Sequence, residues 1–359
     1  MLFVSLATAI LFLLPDSFLM LDTHGRYWLA FEFLWLFTVV LLASLAAVRH
    51  AEALSATLGE PFATLILTGA VTSIEVTLIA SVMLGGENNP TFARDTMFAT
   101  FMLVLNGLVG LGLLLGGWNF KELQYNLQGA NAYLVVIIPL ASIGFILPDF
   151  TVSTAGPTLT PLQSIFVILV SLALYGIFLT IQTTRHKSYF MSPDHMQGER
   201  HVGYIHRSGS SPIFHGILLG MYLLGVIVLA EQLSEPIDHS LEKLGAPAAL
   251  GGLAVALLVL FPEGINGLRS ALNNDLQRAV NILLGSILAT ISVTIPVILF
   301  IGMWTNREIV LGLDPTDSVL LLVTVLVSLA TFSAARTNIL HGAVHLLLFL
   351  VFVVLIFQP

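Results

Sequence analysis

Cysteine is absent from all 359 residues. Disulfides, thiolate metal centres and cysteine nucleophiles are therefore excluded, and the redox compartment stays open. Charge is scarce: Asp, Glu, Lys and Arg make up 9% of the chain, against roughly 25% in an average soluble domain. No run of Lys and Arg occurs, so there is no basic patch for nucleic acid, and the net charge of -8 is scattered through short connections. An HExxH pair and a nucleophile–base constellation are missing as well, which leaves no case for an intramembrane enzyme. The N-terminus, MLFVSLATAILFLLPDSF, carries no basic leader, so it reads as a first, short membrane helix rather than a signal peptide.

What is present is apolar, 57% of the chain. The apolar residues fall into eleven stretches near the ~20 residues a helix needs to cross a bilayer. They lie at about 1–20, 27–49, 61–85, 95–117, 131–148, 161–184, 212–233, 246–271, 277–303, 317–335 and 338–357. The expected fold is an all-α polytopic membrane protein of about 11 transmembrane helices, with no soluble domain for a separate activity. With connections assigned alternately to two sides, the N-terminal side collects Arg49, Lys121, Arg185, Lys187, Arg200, Arg207, Arg269, Arg278 and Arg336. The other side holds only Arg26, Arg94, Lys243 and Arg307. This asymmetry places the N-terminus in the cytoplasm and the C-terminus outside.

The one sizeable hydrophilic stretch, 186–211, divides the chain. Residues 1–26 form a first helix, 27–185 a five-helix repeat, 186–211 a cytoplasmic linker and 212–359 a second five-helix repeat. An odd number of crossings reverses orientation on repetition, so the repeats are expected to be inverted. AEAL at 51–54 and LGEP at 58–61 recur as AEQL at 230–233 and LGAP at 244–247. Glu75 and Glu263 then follow at 17 and 19 residues from Leu58 and Leu244.

Each glutamate lies inside an apolar span, and an ionised carboxylate at that depth costs at least ~2.5 kcal/mol. Two of them in duplicated segments point to a shared ion site. Thr64, Thr68, Thr72 and Glu75, spaced four, four and three, share one helical face. The hydroxyls suit a cation path, although threonines in membrane helices also bond back to their own carbonyls. Pro262 precedes Glu263 and is expected to kink or unwind its helix, exposing carbonyl oxygen. Asn266 and Ser270 continue the Glu263 face toward the cytoplasmic side, where with Thr64 they would line an entry path; Ala256, Val259 and Leu260 make the external wall apolar. In the spans that follow, LVLNGLVG aligned with LLGSILATI pairs Asn106 with Thr290 and puts Ser286 one turn away. Asn106 also suits a helix-to-helix hydrogen bond. His341 and His345, four apart with no acidic neighbour, favour helix-packing bonds over metal binding. His186, His195, His201 and His206, with His215 just beyond, read as a polar linker, with pH sensing or metal binding as the sharper alternatives.

GEPFATLILTGAVTSIEVTLI, NPTFARDTMFA, NLQGANAYL, FPEGINGLRSALNNDLQRAVNILLGSILATISVTIPV and FSAARTNILHGAVHLLLF together resemble bacterial sodium/calcium–proton antiporters of the calcium/cation exchanger superfamily. The resemblance covers nearly the whole chain. It implies a pseudosymmetric core in a bacterial cytoplasmic (inner) membrane and export of cytoplasmic cations, calcium, sodium or potassium, against external protons. By the family pattern Glu75 and Glu263 are the central acidic residues and Asn106, Ser286 and Thr290 the polar helix positions; Thr68 and Thr72, from the hydroxyl face that leads to Glu75, are expected to support the same cation. Where relatives often carry Gly-Asn before the acidic residue, this chain has Val71-Thr72 and Val259-Leu260, and its linker holds only Asp194 and Glu199. No cofactor is expected; the species bound are the transported cations and protons, and the partner is the bilayer, with oligomeric state open. The alternative is a cation channel or uniporter without proton coupling.

Overall fold

The computed structural model describes residues 1–13, 26–58, 62–85, 89–154, 156–192, 211–244, 247 and 249–358. Among the described residues, eight helices are long and apolar enough to span a membrane, and three shorter apolar helices complete a set matching the eleven stretches read from hydropathy. In chain order they are α1 (Leu2–Leu13), α2 (Arg26–Leu58), α3 (Phe62–Gly85), α4 (Phe92–Phe120), α5 (Leu127–Phe150), α6 (Pro161–Arg185), α7 (Pro212–Leu244), α8 (Ala249–Leu272), α9 (Leu276–Thr305), α10 (Pro315–Thr331) and α11 (Ile339–Phe357). The chain is a multi-pass helical membrane protein.

Two helices outrun their apolar windows. α2 was expected to stop near 49 and α7 near 233, yet both continue, through RHAEALSATL and SEPIDHSLEKL. The α2 extension is rich in Ala, Leu and Glu, strong helix formers, so backbone propensity carries that helix past the membrane boundary that hydropathy detects; α7 continues through Pro236 and Asp238, where propensity does not explain it. The two end at equivalent places, on the leucine of the repeated LGEP and LGAP. Both are 33 residues long, and the helices that follow, α3 and α8, are both 24. The duplicated sequence landmarks thus coincide with duplicated helix lengths.

The residues group into two compact units, Met1–Thr96 with Ile205–Pro262, and Met97–Tyr204 with Glu263–Pro359. Each unit draws on both halves of the chain. In the first, α2 and α7 pack along one another, α3 lies on both and α1 on α7. Leu36, Val40, Ala43, Ala47, Val226, Leu229 and Ala230 are fully buried there. Near its ends α2 carries His50, whose Nδ1 is 3.0 Å from the Nδ1 of His215 on α7.

In the second unit, polar caps start the helices. Asn126 accepts from Gln128 N–H at the start of α5, Asp275 from Arg278 N–H at α9, and Asn338 from Leu340 N–H at α11. Thr160 and Gln163 cap α6 reciprocally, with Pro161 at its first position. The side chains of α6 that face away from the protein are large and apolar, Leu162 being 78% and Leu169 63% exposed, as lipid contact requires.

The connections of this unit sort themselves by side. β1 (Glu122–Gln124) pairs antiparallel with β2 (Arg336–Asn338). Asn126 N–H donates to Gln277 Oε1 (2.6 Å), Asn281 Nδ2 to the Phe190 carbonyl (2.7 Å) and Ser192 Oγ to Asp275 Oδ1 (2.9 Å). The segments after α4, α6, α9's start and α10 therefore meet at one end, and all were assigned to the cytoplasmic side. Leu311 and Gly312 N–H donate instead to the Pro157 carbonyl, and Leu313 N–H to that of Phe145, joining two connections assigned to the other side.

Candidate cation and proton site

Glu75 sits thirteen residues into α3, and Glu263 fourteen into α8. Both side chains are withdrawn from solvent, at 2% and 9% exposure. In the first unit the Glu75 turn is flanked by Ile74, Leu78 and Ile79, all buried, because α3 is apolar around most of its circumference. Thr72, one turn before Glu75, is buried at 6%, and Thr68 is part-buried. The side chain of Thr64 lies outside the described residues.

α8 departs from expectation in one respect. It remains α-helical from Ala249 to Leu272 with Pro262 inside it, rather than unwinding at Glu263. Proline removes only its own N–H, here the donor that would reach the Leu258 carbonyl, and membrane helices tolerate this where neighbours or solvent re-satisfy the backbone. Beyond Glu263, in the second unit, small residues bring α8 against α4 and α9. A Cβ at Gly264 would lie 3.1 Å from the Leu108 side chain, and one at Gly267 3.0 Å from that of Leu283. Glu263 is thereby carried close to the segments holding Asn106 and Ser286. Asn266 is part-buried; Ser270 is buried and donates to the Asn266 carbonyl at 2.9 Å, the back-bonded arrangement common in membrane helices.

α4 and α9, aligned in sequence, share a feature hydropathy does not reveal. Each contains one wide π-helical turn, Leu103–Leu108 in α4 and Thr290–Thr294 in α9, as α5 and α6 also do at Ser142–Ile146 and Ile181–Arg185. Asn106 lies in the first and Thr290 opens the second, so the aligned polar pair sits where both helices widen. Such turns concentrate at functional sites. Thr290 Oγ1 donates to the Ser286 carbonyl at 3.0 Å, while Ser286 itself is part-buried. Within the same turn Ser292 and Thr294 are fully buried, and their hydroxyls have no hydrogen-bond partner among the described residues. Thr100 on α4 and Ser328 on α10 are in the same state. Unsatisfied buried hydroxyls call for a water or an ion. Sequence reading missed these four, because isolated Ser and Thr in apolar helices carry no spacing signal.

Asn106 is buried completely. Its Nδ2 donates to Thr324 Oγ1 (2.8 Å), and its Oδ1 accepts from His345 Nδ1 (3.0 Å). The helix-packing role expected of His345 is therefore observed, and His341 caps its own helix by accepting from Asn338 N–H at 3.4 Å. Of the linker histidines, His195, His201 and His206 lie outside the described residues. His186 packs its ring on Tyr189, centroids 4.8 Å apart, and His215 lies on α7, within the span expected from 212.

Eleven apolar helices with buried carboxylates in two duplicated spans define a membrane transport protein. The model of the family described as sodium/calcium exchanger protein matches residues 1–184 and 214–358. The chain belongs to that family. It is 42% identical to the protein y4hA of Sinorhizobium fredii (strain NBRC 101917 / NGR234), over 87% of this chain and 85% of that one. It is 38% identical to the sodium-potassium/proton antiporter ChaA of Escherichia coli (strain K12), over 89% and 86%. Among solved structures, native YfkE superposes with a TM-score of 0.74 at 18% identity, covering 100% of both chains. The H+/Ca2+ exchanger CAX gives 0.70 at 16% identity, over 98% of this chain and 87% of that one. These structures share the fold.

Proposed function

We propose that this protein is a secondary antiporter of a bacterial cytoplasmic membrane, exchanging cytoplasmic cations for external protons at Glu75 and Glu263. The observation that carries the reading is the pair itself: two buried glutamates at matching positions along two helices of equal length, each following the same sequence landmark. Two carboxylates serving one site cannot both stay ionised at low dielectric without a cation, so protons and metal ions compete for the same oxygens. Obligatory competition, with the empty charged site unable to reorient, is exchange. Thr68, Thr72, Asn106, Ser286 and Thr290 support the cation, and water or the unsatisfied hydroxyls of the widened turns complete its shell. Sodium and potassium accept such a shell, and calcium, which takes six to eight oxygens, accepts it with more water. The relatives' names, a sodium-potassium/proton antiporter and Ca(2+)/H(+) antiporters, support the same class. Transport in everted vesicles energised to be acid inside, with sodium, potassium, calcium and magnesium compared at several pH values, tests it. Each transported cation should collapse the proton gradient saturably, whereas a channel or uniporter would move cations without consuming it.

Access follows from the orientation given by the charge asymmetry, with the N-terminus cytoplasmic and the C-terminus external. Thr64, Thr68, Asn266 and Ser270 then lie on the cytoplasmic side of the two glutamates, and Ala256, fully buried, lies external to Glu263. In this cysteine-free chain, Thr68→Cys and, during turnover, Ser270→Cys should react with a hydrophilic maleimide from the cytoplasmic side. Ala256→Cys should resist the reagent from outside. Rapid external labelling at 256 with protection of the other two would reverse the orientation or remove the cytoplasmic path.

A further inference from the structure

Asn106 sits in a buried chain of hydrogen bonds that runs from Thr324 through its amide and the His345 ring to Thr331. An amide oxygen only accepts, so the 3.0 Å contact between Asn106 Oδ1 and His345 Nδ1 requires the proton on Nδ1. The neutral ring then offers Nε2 as an acceptor, and Thr331 Oγ1 supplies the hydrogen from 3.0 Å. On the other side of the amide, Asn106 Nδ2 donates to Thr324 Oγ1 at 2.8 Å and faces Met102 Sδ at 3.5 Å. Asn106, Thr324 and His345 are 0% exposed and Thr331 1%. With Nδ1 protonated, this orientation of Asn106 satisfies each partner and leaves one lone pair of Oδ1 over; the flipped amide requires the other imidazole tautomer, so the amide and the ring set one another's orientation.

The chain exists because the backbones of α4 and α11 touch. A Cβ on Gly110 would meet Leu346 N at 2.9 Å, and one on Gly342 would meet Gly110 O at 2.8 Å. Asn106 lies one turn before Gly110, and His345 three residues after Gly342, so this crossing delivers the ring to the amide. Thr331 is held in turn by Tyr125, whose Oη donates to the carbonyls of Thr331 (3.2 Å) and Ala334. Burial raises the Tyr125 phenol well above its ordinary range, so this anchor stays protonated at any working pH.

We propose that His345 is a positioning residue for cation transport: it fixes the Asn106 amide so that the remaining oxygen lone pair serves the cation half-site of α4. The inference rests on the proposed role of Asn106. Two substitutions of similar size separate positioning from packing. In His345→Asn the new Nδ2 stands where Nδ1 stood and still donates to Asn106, whereas the longer His345→Gln places its amide at the Nε2 position, beside Thr331, and leaves Asn106 Oδ1 without its donor.

The experiment measures cation-dependent transport in everted vesicles for both variants and for Asn106→Ala, normalised to folded protein. His345→Asn should keep the cation KM within threefold of the parent. His345→Gln and Asn106→Ala should each raise it about tenfold or more, with kcat changed far less. Equal KM values for the two His345 variants, with Asn106→Ala still impaired, would overturn the positioning role alone. An unchanged KM in Asn106→Ala would remove Asn106 from the cation site, and the inference with it.

Discussion

Glu75→Gln and Glu263→Gln should each reduce proton-coupled cation transport at least a hundredfold while leaving membrane insertion intact. Glutamine keeps the volume and hydrogen-bonding shape of the side chain but has neither the titratable proton nor the charge that a cation requires. Insertion should not suffer, because a neutral amide at membrane depth is cheaper than an ionised carboxylate. The double substitution should look like either single one, since a site that needs both carboxylates fails when one is gone. Non-additivity of that kind marks residues acting as a unit. Retention of coupled transport by either single variant would remove that glutamate from the mechanism.

The second large effect is structural. Gly342→Ala should cost several kcal/mol, and Gly342→Leu should prevent recovery of folded protein. The added Cβ would lie 2.4 Å from Leu114 N and 2.8 Å from Gly110 O, both backbone atoms of α4 that cannot turn aside. Close approach at small residues is how membrane helices gain dispersion contact without a hydrophobic driving force. Gly220→Ala on α7 is the matching control, because nothing lies within 4 Å of a Cβ there and alanine favours a helix. Thermal unfolding in detergent, followed by size-exclusion, should show Gly342→Ala melting far below the parent and Gly220→Ala unchanged or higher. Equal melting of the two would mean that α4 and α11 do not cross at this glycine.

Much of this architecture was legible because the bilayer imposes it. Each span must present about twenty apolar residues, so hydropathy located all eleven helices, and the alternation of their connections put on one side the loops that carry β1 and β2, which pair across 214 residues. The glutamates stood out for the reverse reason, being costly where they are. Helix ends were less visible, since α2 and α7 continue past their apolar windows, α2 through residues of high helix propensity and α7 through a polar stretch that includes Pro236. Of the kink or unwinding expected at Pro262, unwinding does not occur: a single lost donor leaves α8 helical. The widened turns in α4 and α9 left no trace in composition, because a π turn changes backbone register and not residue type. Nor did the Asn106–His345 bond, whose partners lie 239 residues apart. Each was readable alone as a polar residue suited to helix packing, but no periodicity connects them.

The central claim is that protons and cations take turns on the same carboxylates. Purified protein in weakly buffered detergent solution, with a pH-sensitive dye, tests it without a membrane, a gradient or an assumption about orientation. Adding a transported cation should release protons in a saturable amount that grows as pH falls through the range where the site is protonated. The protein carrying both Glu75→Gln and Glu263→Gln should release none. Cation binding with no proton release by the unmodified protein, or undiminished release by the doubly substituted one, would contradict the account.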